Sequence, residues 1–281
     1  MKWQGGRRSD NVIDRRGGGG RRGKPLIGGV GAIVVVIVGL YLGVEPSTLL
    51  SIVSTEAPAP RDTSTPAVRD EASEFVRVVL GDTETTWRAL FAQRGDTYRD
   101  PKLVLFRDRV QSACGLQSAA VGPFYCPGDN QVYIDLSFFD ALAQRYGAPG
   151  DFAQAYVIAH EVGHHIQSLT GVSRQVHAKK RTLPKAQANA LSVRQELQAD
   201  CYAGVWGHHA AKRGLLEEGD VEEGLRAAAA IGDDRLQKRA RGTVAPESFT
   251  HGTSAQRVAW FRRGLQTGQY EQCDTFTVTE P

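Results

Sequence analysis

The stretch YVIAHEVGHHIQSL, residues 156–169, decides the fold and the chemistry of this chain. It contains His160 and His164, four residues apart, with Glu161 directly after the first histidine. Residues i and i+4 of a helix share a face, so both imidazoles can bind one metal ion. Glu161 lies about 100° further round the helix. A carboxylate in that position stands beside the metal, where it can serve as a general base.

The residues around this stretch favour a helix. Pro149 and Gly150 interrupt the chain before it, Asp151 is a plausible N-cap and Gly171 a plausible C-cap. An apolar stripe runs beside the ligand face and comprises Phe152, Tyr156, Ala159, Val162 and Ile166. The alternative is a chance match, which three fixed residues produce in a chain of 281 residues at roughly a few per cent. A helical context and a third ligand argue against chance.

Glu196 is the best candidate for the third ligand. A catalytic zinc ion takes three protein ligands and leaves one position for water. Glu196 lies in a second predicted helix, from about Ala186 to Ala211, and Asp200 follows one turn later. Asp200 can accept the free ring N–H of a ligand histidine and so fix its tautomer. The alternative is a solvated helix face. The other histidines of the region, His165, His208 and His209, have no ligand spacing and are predicted to be ordinary.

These residues predict hydrolysis of an amide bond with one zinc ion per chain. Glu161 is assigned as the general base for the attacking water, and it then carries the proton to the leaving amine. His251, at the start of the last predicted helix, is assigned as the donor to the oxyanion of the tetrahedral state. Tyr133 and Tyr202 are the competing donors.

Two apolar runs predict strands that accompany the helices. Leu103–Phe106 is short, whereas 131–136 alternates cleanly between apolar and polar residues. We expect the second run to be an edge strand that pairs with a substrate backbone, with Tyr133 and Asp135 in the substrate-binding set. A solvated strand face is the alternative. The predicted fold is therefore α+β: a mostly helical, zincin-like domain with a small antiparallel sheet.

Four cysteines, none in a CxxC pair, exclude a cysteine-type zinc site and allow two disulfides. Three connectivities are possible, and we predict Cys114–Cys126, which closes a local loop, together with Cys201–Cys273. Disulfides require an oxidising compartment. The alternative is four buried thiols.

The chain before residue 71 divides into three predicted segments. Residues 1–25 carry eight basic residues and four consecutive glycines, which predicts a flexible cytoplasmic tail. Leu26–Val44 is free of charge for 19 residues, long enough for one membrane span. Residues 45–70 are rich in Ser, Thr, Pro and Ala and predict a tether. The catalytic domain, 71–281, would then lie outside the cytoplasm, anchored at the cell membrane. A cleaved signal peptide is the alternative to the anchor.

Several motifs together resemble a known family. HExxH followed by Glu196-x-x-x-Asp200 resembles the gluzincin class of zinc peptidases, and the closer resemblance is to the bacterial neutral zinc metallopeptidases called YpfJ-like. The stretches that carry it are Lys2–Ser9, Gly122–Pro127, Val132–Leu136, Tyr156–His165 and Glu196–Cys201. The resemblance spans nearly the whole chain and implies zinc proteolysis of a protein or peptide, without naming a substrate.

The sequence therefore leaves three candidate functions. The first is a membrane-anchored zinc endopeptidase acting outside the cytoplasm. The second is a binding protein that keeps the fold without catalysis, which the presence of every ligand and of the base opposes. The third is a zinc hydrolase of non-peptide amides, such as those of the cell wall. A net charge of +3 gives no indication of a nucleic-acid partner.

Overall fold

A small sheet and a layer of helices position the site in the computed structural model, which describes residues 1–16, 70–118 and 122–281. Residues 1–16 belong to the same compact unit as the domain that begins near residue 68. The predicted span Leu26–Val44 and nearly all of the predicted tether, 45–70, lie outside the described residues. Within the described residues, no helix is both long and apolar enough to cross a membrane.

Eight α-helices are described, and most of the long ones lie where periodicity predicts them. In chain order, α1–α8 are Glu71–Gln93, Ser137–Gln144, Asp151–Leu169, Val172–Lys180, Lys185–Lys212, Asp220–Ala230, Asp233–Arg241 and Ser254–Thr267. Two short 3₁₀ helices, Pro246–Ser248 and Tyr270–Cys273, lie on either side of α8. The helical fraction confirms the predicted α+β class with a mostly helical domain.

The sheet is mixed rather than antiparallel, which corrects the prediction. Its strands are β1 (Val12–Asp14), β2 (Lys102–Phe106), β6 (Gln131–Asp135) and β5 (Phe124–Cys126), in that spatial order. The first three are parallel, and only β5 runs against its neighbour. Between β2 and β5 the chain forms a separate hairpin of β3 (Arg109–Ser112) and β4 (Gly115–Ser118). The chain between β2 and β6 is therefore long, and it allows these two strands to lie parallel, whereas a tight turn would make them antiparallel.

The N-terminal residues are an integral part of the domain, so the predicted flexible tail is wrong for residues 1–16. Strand β1 pairs with β2, with Val12 opposite Leu103. The buried carboxylate of Glu84 in α1 accepts hydrogen bonds from Ser9 Oγ at 2.5 Å and from Asn11 Nδ2 at 2.9 Å. The prediction failed because it read the basic residues as solvated, although several have acidic partners in the distant sequence.

Ion pairs of two arginines hold the same segment against the domain. Arg7 Nη2 is 2.5 Å from Glu84 Oε2, and Arg16 contacts Asp14 at 2.6 Å and Asp70 at 2.8 Å. Asp70 is also the N-cap of α1, since its side chain accepts the N–H of Ser73. The contact between Arg16 and Asp70 therefore holds the N-terminal segment against the first turn of α1.

Helices α3, α5 and α8 approach one another closely, and glycines allow it. A Cβ atom on Gly163 of α3 would lie 2.9 Å from the carbonyl oxygen of Ala199 in α5. A Cβ atom on Gly264 of α8 would lie 2.0 Å from the carbonyl oxygen of Cys201. Real Cβ atoms do not come so near. A larger side chain at Gly163 would therefore separate α3 from α5, the helices that carry the predicted ligands, and one at Gly264 would separate α5 from α8.

Both predicted disulfides are confirmed: Cys114–Cys126 and Cys201–Cys273. The second joins α5 to the 3₁₀ helix at the C-terminal end. Two further helices, α4 after Gly171 and α7 from Asp233, lie where the sequence gives no helical signal. Both helices are short and strongly polar, so they lack the apolar periodicity that reveals a helix in sequence.

Candidate metal centre

The three predicted ligands meet at one point between α3 and α5. His160 Nε2 lies 3.1 Å from Glu196 Oε2, and His164 Nε2 lies 3.4 Å from Glu196 Oε1. One ligand atom from each of the three residues lies within 4.8 Å of the others. Two imidazole nitrogens and one carboxylate are a donor set that suits zinc and leaves a fourth position for water. The residues present therefore fit the predicted ion.

The far side of each imidazole is held by a hydrogen-bond acceptor. His160 Nδ1 is 2.8 Å from Asp200 Oδ1, as predicted, and His164 Nδ1 is 2.9 Å from Gln167 Oε1. Each Nδ1 therefore carries the proton, and each Nε2 presents a lone pair to the metal. Gln167 was not predicted. Its amide nitrogen donates to the carbonyl oxygen of Gln195 at 2.6 Å, which fixes its orientation.

Arg257 is the residue that sequence reasoning missed. This buried arginine of α8 donates to both carboxylate oxygens of Asp200, at 2.9 Å each. Tyr156 donates to the same carboxylate at 2.5 Å. A signal was present in the sequence, because Arg257 occupies the first position of an apolar helix face that continues with Trp260 and Phe261. A charged residue in that stripe requires a buried partner.

The charges of the site favour a cation. Burial disfavours a charge on His160, but Asp200 and Glu196 outweigh it and raise the pKa of His160 to about 10. Burial also disfavours the Glu196 carboxylate, yet His164 and His160 hold its pKa well below its usual range. Burial likewise disfavours the Asp200 carboxylate, but the charges of Arg257 and His160 outweigh burial and lower the pKa of Asp200. Two ionised carboxylates therefore face the imidazoles, which is the charge that a divalent ion needs.

Glu161 is placed as a general base should be. Its carboxylate lines the cleft beside the two histidines, and none of the described residues donates a hydrogen bond to it. Burial raises the pKa of Glu161, and Glu196 adds to this effect while the two histidines oppose it. A buried carboxylate without a protein donor is available to accept a proton from water.

His251 lies on the wall of the same cleft. Its Nδ1 is 3.2 Å from Asp233 Oδ1, and its backbone N–H donates to Asp233 Oδ2 at 2.6 Å. Although burial disfavours the imidazolium, the hydrogen bond with Asp233 and the charge of Glu196 raise the pKa of His251. Asp233 thus orients the ring and favours its protonated form, which could donate through Nε2. The role of His251 as oxyanion donor remains a prediction.

Tyr133 and Asp135 do not line the cleft, which corrects their assignment to substrate binding. Strand β6 is interior, because β5 covers its outer side. Tyr133 donates to Asp129 at 2.8 Å, and Asp135 accepts the backbone N–H groups of Asp108 and Ser137. Tyr202, a competing donor, is buried against Trp87 and is also absent from the cleft wall. The alternation of 131–136 indicated a strand correctly, but it could not reveal which strand forms the edge.

The cleft itself has a volume of about 740 Å³ and contains His160, Glu161, His164, Glu196 and His251. The edge strand β5 forms one wall, and residues of α2, α4 and α5 form the others. No described strand pairs with the outer edge of β5. An open cleft bounded by such an edge suits an extended polypeptide, because the edge offers backbone hydrogen bonds to any sequence.

A buried HExxH helix, a glutamate on the following long helix and an open cleft define a zinc-peptidase type of site. The chain belongs to the family described as "putative neutral zinc metallopeptidase", whose model matches residues 1–276. It is 50% identical over 287 residues to the Escherichia coli K12 protein YpfJ, covering 98% of this chain and 99% of the relative. It is 40% identical over 257 residues to Rv2575 of Mycobacterium tuberculosis H37Rv, covering 86% of both. No solved structure matches this chain.

Proposed function

We propose that this chain is a zinc-dependent endopeptidase that binds one zinc ion through His160, His164 and Glu196. The observation that carries the proposal is the convergence of these three residues, with Glu161 beside them and without a hydrogen-bond donor among the described residues. The family supports zinc and a protein or peptide substrate. The open cleft favours internal cleavage over trimming from an end, since neither end of a substrate needs to fit inside.

Each residue has a distinct task in the proposed reaction. A zinc ion, when bound, lowers the pKa of water and polarises a carbonyl group. Glu161 accepts the proton of the attacking water and returns it to the leaving amine. His251, oriented by Asp233, donates a hydrogen bond to the oxyanion. Asp200 holds His160 in the tautomer that binds metal, and Arg257 holds Asp200.

The proposal places the reaction outside the cytoplasm. Its support is the pair of disulfides, because such bonds persist in oxidising compartments and are rare in the cytosol. Membrane attachment through Leu26–Val44 stays a prediction from the sequence. A non-catalytic binding protein is disfavoured by the intact base and ligands. The edge of strand β5 on the cleft wall favours a polypeptide substrate over a cell-wall amide, because a strand edge pairs with a peptide backbone.

Metal content and hydrolysis of unfolded protein test the proposal together. Purified protein should contain one zinc ion per chain by elemental analysis and should cleave denatured casein at internal positions. Addition of a chelator should stop cleavage, and zinc should restore it. A zinc-loaded protein that cleaves no casein, but releases peptides from cell-wall material, would favour the amide hydrolase instead.

A further inference from the structure

The cleft has a direction, which strand β5 defines. Gly122, two residues before the strand, lies against α2, because a Cβ atom on Gly122 would be 3.4 Å from the ring of Phe138. Further along the chain, the hydroxyl of Tyr125, the central residue of β5, is 3.2 Å from Nδ1 of His165, near the C-terminal end of α3. Helix α4 follows directly after α3. Strand β5 therefore runs along the cleft from α2 towards α4.

A bound polypeptide would adopt the opposite direction. Antiparallel pairing is the more stable arrangement of two strands, and β5 already pairs in this way with β6 on its other side. A segment lying antiparallel to β5 has its N-terminal part beside α4 and its C-terminal part beside α2. Residues before the cleaved bond would then meet α4.

One face of α4 lines this end of the cleft. It comprises Ser173, Val176, His177 and Lys180, which follow the i, i+3, i+4, i+7 spacing of a helix face. Lys180 is half-buried, and its ammonium group donates to Ser192 Oγ at 2.5 Å. No carboxylate among the described residues lies within ion-pair distance of it. The carboxylates that line the cleft are Glu161 and Glu196, which belong to the metal centre.

We propose that Lys180, with His177 beside it, selects substrates that carry an acidic side chain on the N-terminal side of the cleaved bond. The inference rests on the proposed endopeptidase function and names its substrate class: an extended polypeptide with Asp or Glu before the bond. A lysine held at a cleft wall without a carboxylate partner gains a charged partner only when such a substrate binds. The contribution lies in binding, so it should appear in KM more than in kcat.

Internally quenched peptides test this preference. The series shares one sequence and differs only in Glu, Gln or Lys at each of the three positions before the bond. The zinc-loaded enzyme should cleave the best Glu peptide with a kcat/KM roughly 5- to 10-fold above that of its Lys counterpart, as a partly exposed ion pair allows. Lys180→Glu should reverse the order. Lys179→Glu is the matched control, because Lys179 is exposed on the same helix and does not line this cleft.

Each outcome decides between distinct conclusions. Equal cleavage of the Glu and Lys peptides, or a Lys180→Glu enzyme with the original order, overturns the role of Lys180 and leaves the endopeptidase function standing. An acidic preference on the C-terminal side of the bond that Lys180→Glu abolishes overturns the assigned direction, whereas one that persists in this variant belongs to Arg145 on the cleft wall beside α2. If zinc-loaded protein cleaves neither these peptides nor casein, the proposed function itself fails, and the substrate class fails with it.

A second, independent inference concerns the N-terminal segment. We infer that residues 1–16 lie on the same side of a membrane as the catalytic domain. Strand β1 belongs to the central sheet, Glu84 is buried against Ser9 and Asn11, and Arg16 contacts Asp70. A single crossing between residues 16 and 70 would separate these partners. It would also leave the buried carboxylate of Glu84 without the donors of this segment, and a buried charge that loses its partners is strongly destabilising.

The inference is an alternative to the predicted orientation, which has a cytoplasmic N-terminus and an external domain. On this inference, any attachment through the intervening apolar run leaves both of its flanks on one face of the membrane. The positive-inside rule counts Arg7 and Arg16 as free charges, whereas both are engaged by carboxylates of the domain.

Cysteine labelling in intact bacterial cells tests this topology. All four native cysteines are in disulfides, so a cysteine introduced at an exposed position is the sole free thiol. Asp10→Cys and Glu218→Cys report on the segment and on the domain, since both residues are exposed. A membrane-impermeant maleimide should label both variants or neither before permeabilisation. Labelling of one variant and protection of the other would overturn the inference.

Discussion

Glu196 and Asp200, one helical turn apart on α5, contact opposite nitrogens of a single imidazole. Glu196 Oε2 lies 3.1 Å from Nε2 of His160, and Asp200 Oδ1 lies 2.8 Å from Nδ1. One helix face therefore supplies both a candidate metal ligand and the group that prepares another ligand. Removal of Glu196 and removal of Asp200 should therefore weaken metal binding to different extents, because only Glu196 would contact the metal.

Replacement of Glu196 should abolish the metal site. Glu196→Ala is expected to lose most of its bound zinc, since two histidines alone leave the coordination incomplete. Asp200→Ala should weaken zinc binding less, by about 10- to 100-fold. Elemental analysis after dialysis against a zinc buffer measures both. Full zinc in Glu196→Ala would show that another residue is the third ligand.

Arg257 should matter for stability as well as for metal binding. It is the buried cation that pairs with Asp200, and truncation of one partner of a buried pair typically costs about 3–5 kcal/mol. Arg257→Met is expected to lower the free energy of unfolding by that amount and to weaken zinc binding. Chemical denaturation and zinc titration measure the two effects. Arg263→Met, on the exposed part of the same helix, is the control and should change neither.

His251 should affect the rate rather than substrate binding. The proposed hydrogen bond forms only in the transition state, so His251→Ala should lower kcat by roughly 10²–10³ with little change in KM. The competing explanation is a structural role, in which His251 only holds the chain before α8 against Asp233. In that case the variant would melt at a lower temperature while its folded fraction kept a normal kcat. Thermal melts beside peptide kinetics distinguish the two.

The disulfide Cys201–Cys273 should stabilise the domain more than Cys114–Cys126 does. The first closes a loop of 72 residues and the second a loop of 12. On the chain-entropy model these contribute about 4 and about 3 kcal/mol respectively. Unfolding of the paired Cys→Ser variants in guanidinium should show that order. A larger loss from the Cys114–Cys126 pair would mean that local strain or packing, rather than loop entropy, decides.

The sequence predicted those parts of the molecule that have strong local patterns. The HExxH helix, the helix that carries Glu196 and both disulfides were predicted from periodicity, ligand chemistry and cysteine spacing. Pairing across the chain was not predictable. The parallel β1–β2 pair, the covered position of Tyr133 and the contact of Arg257 with Asp200 all depend on residues far apart in sequence. The apolar helix face around Arg257 indicates that this arginine has a buried partner, but a single sequence does not show that the partner is Asp200.

The central claim is that Glu161 performs chemistry at a zinc site built from His160, His164 and Glu196. Glu161→Gln tests it most directly, because glutamine nearly matches the shape of glutamate but cannot accept the proton of water. Zinc content, melting temperature and casein cleavage should be measured on the same preparation. The account predicts one zinc ion per chain, an unchanged melting temperature and no cleavage. Cleavage at the wild-type rate by the zinc-loaded variant would contradict it.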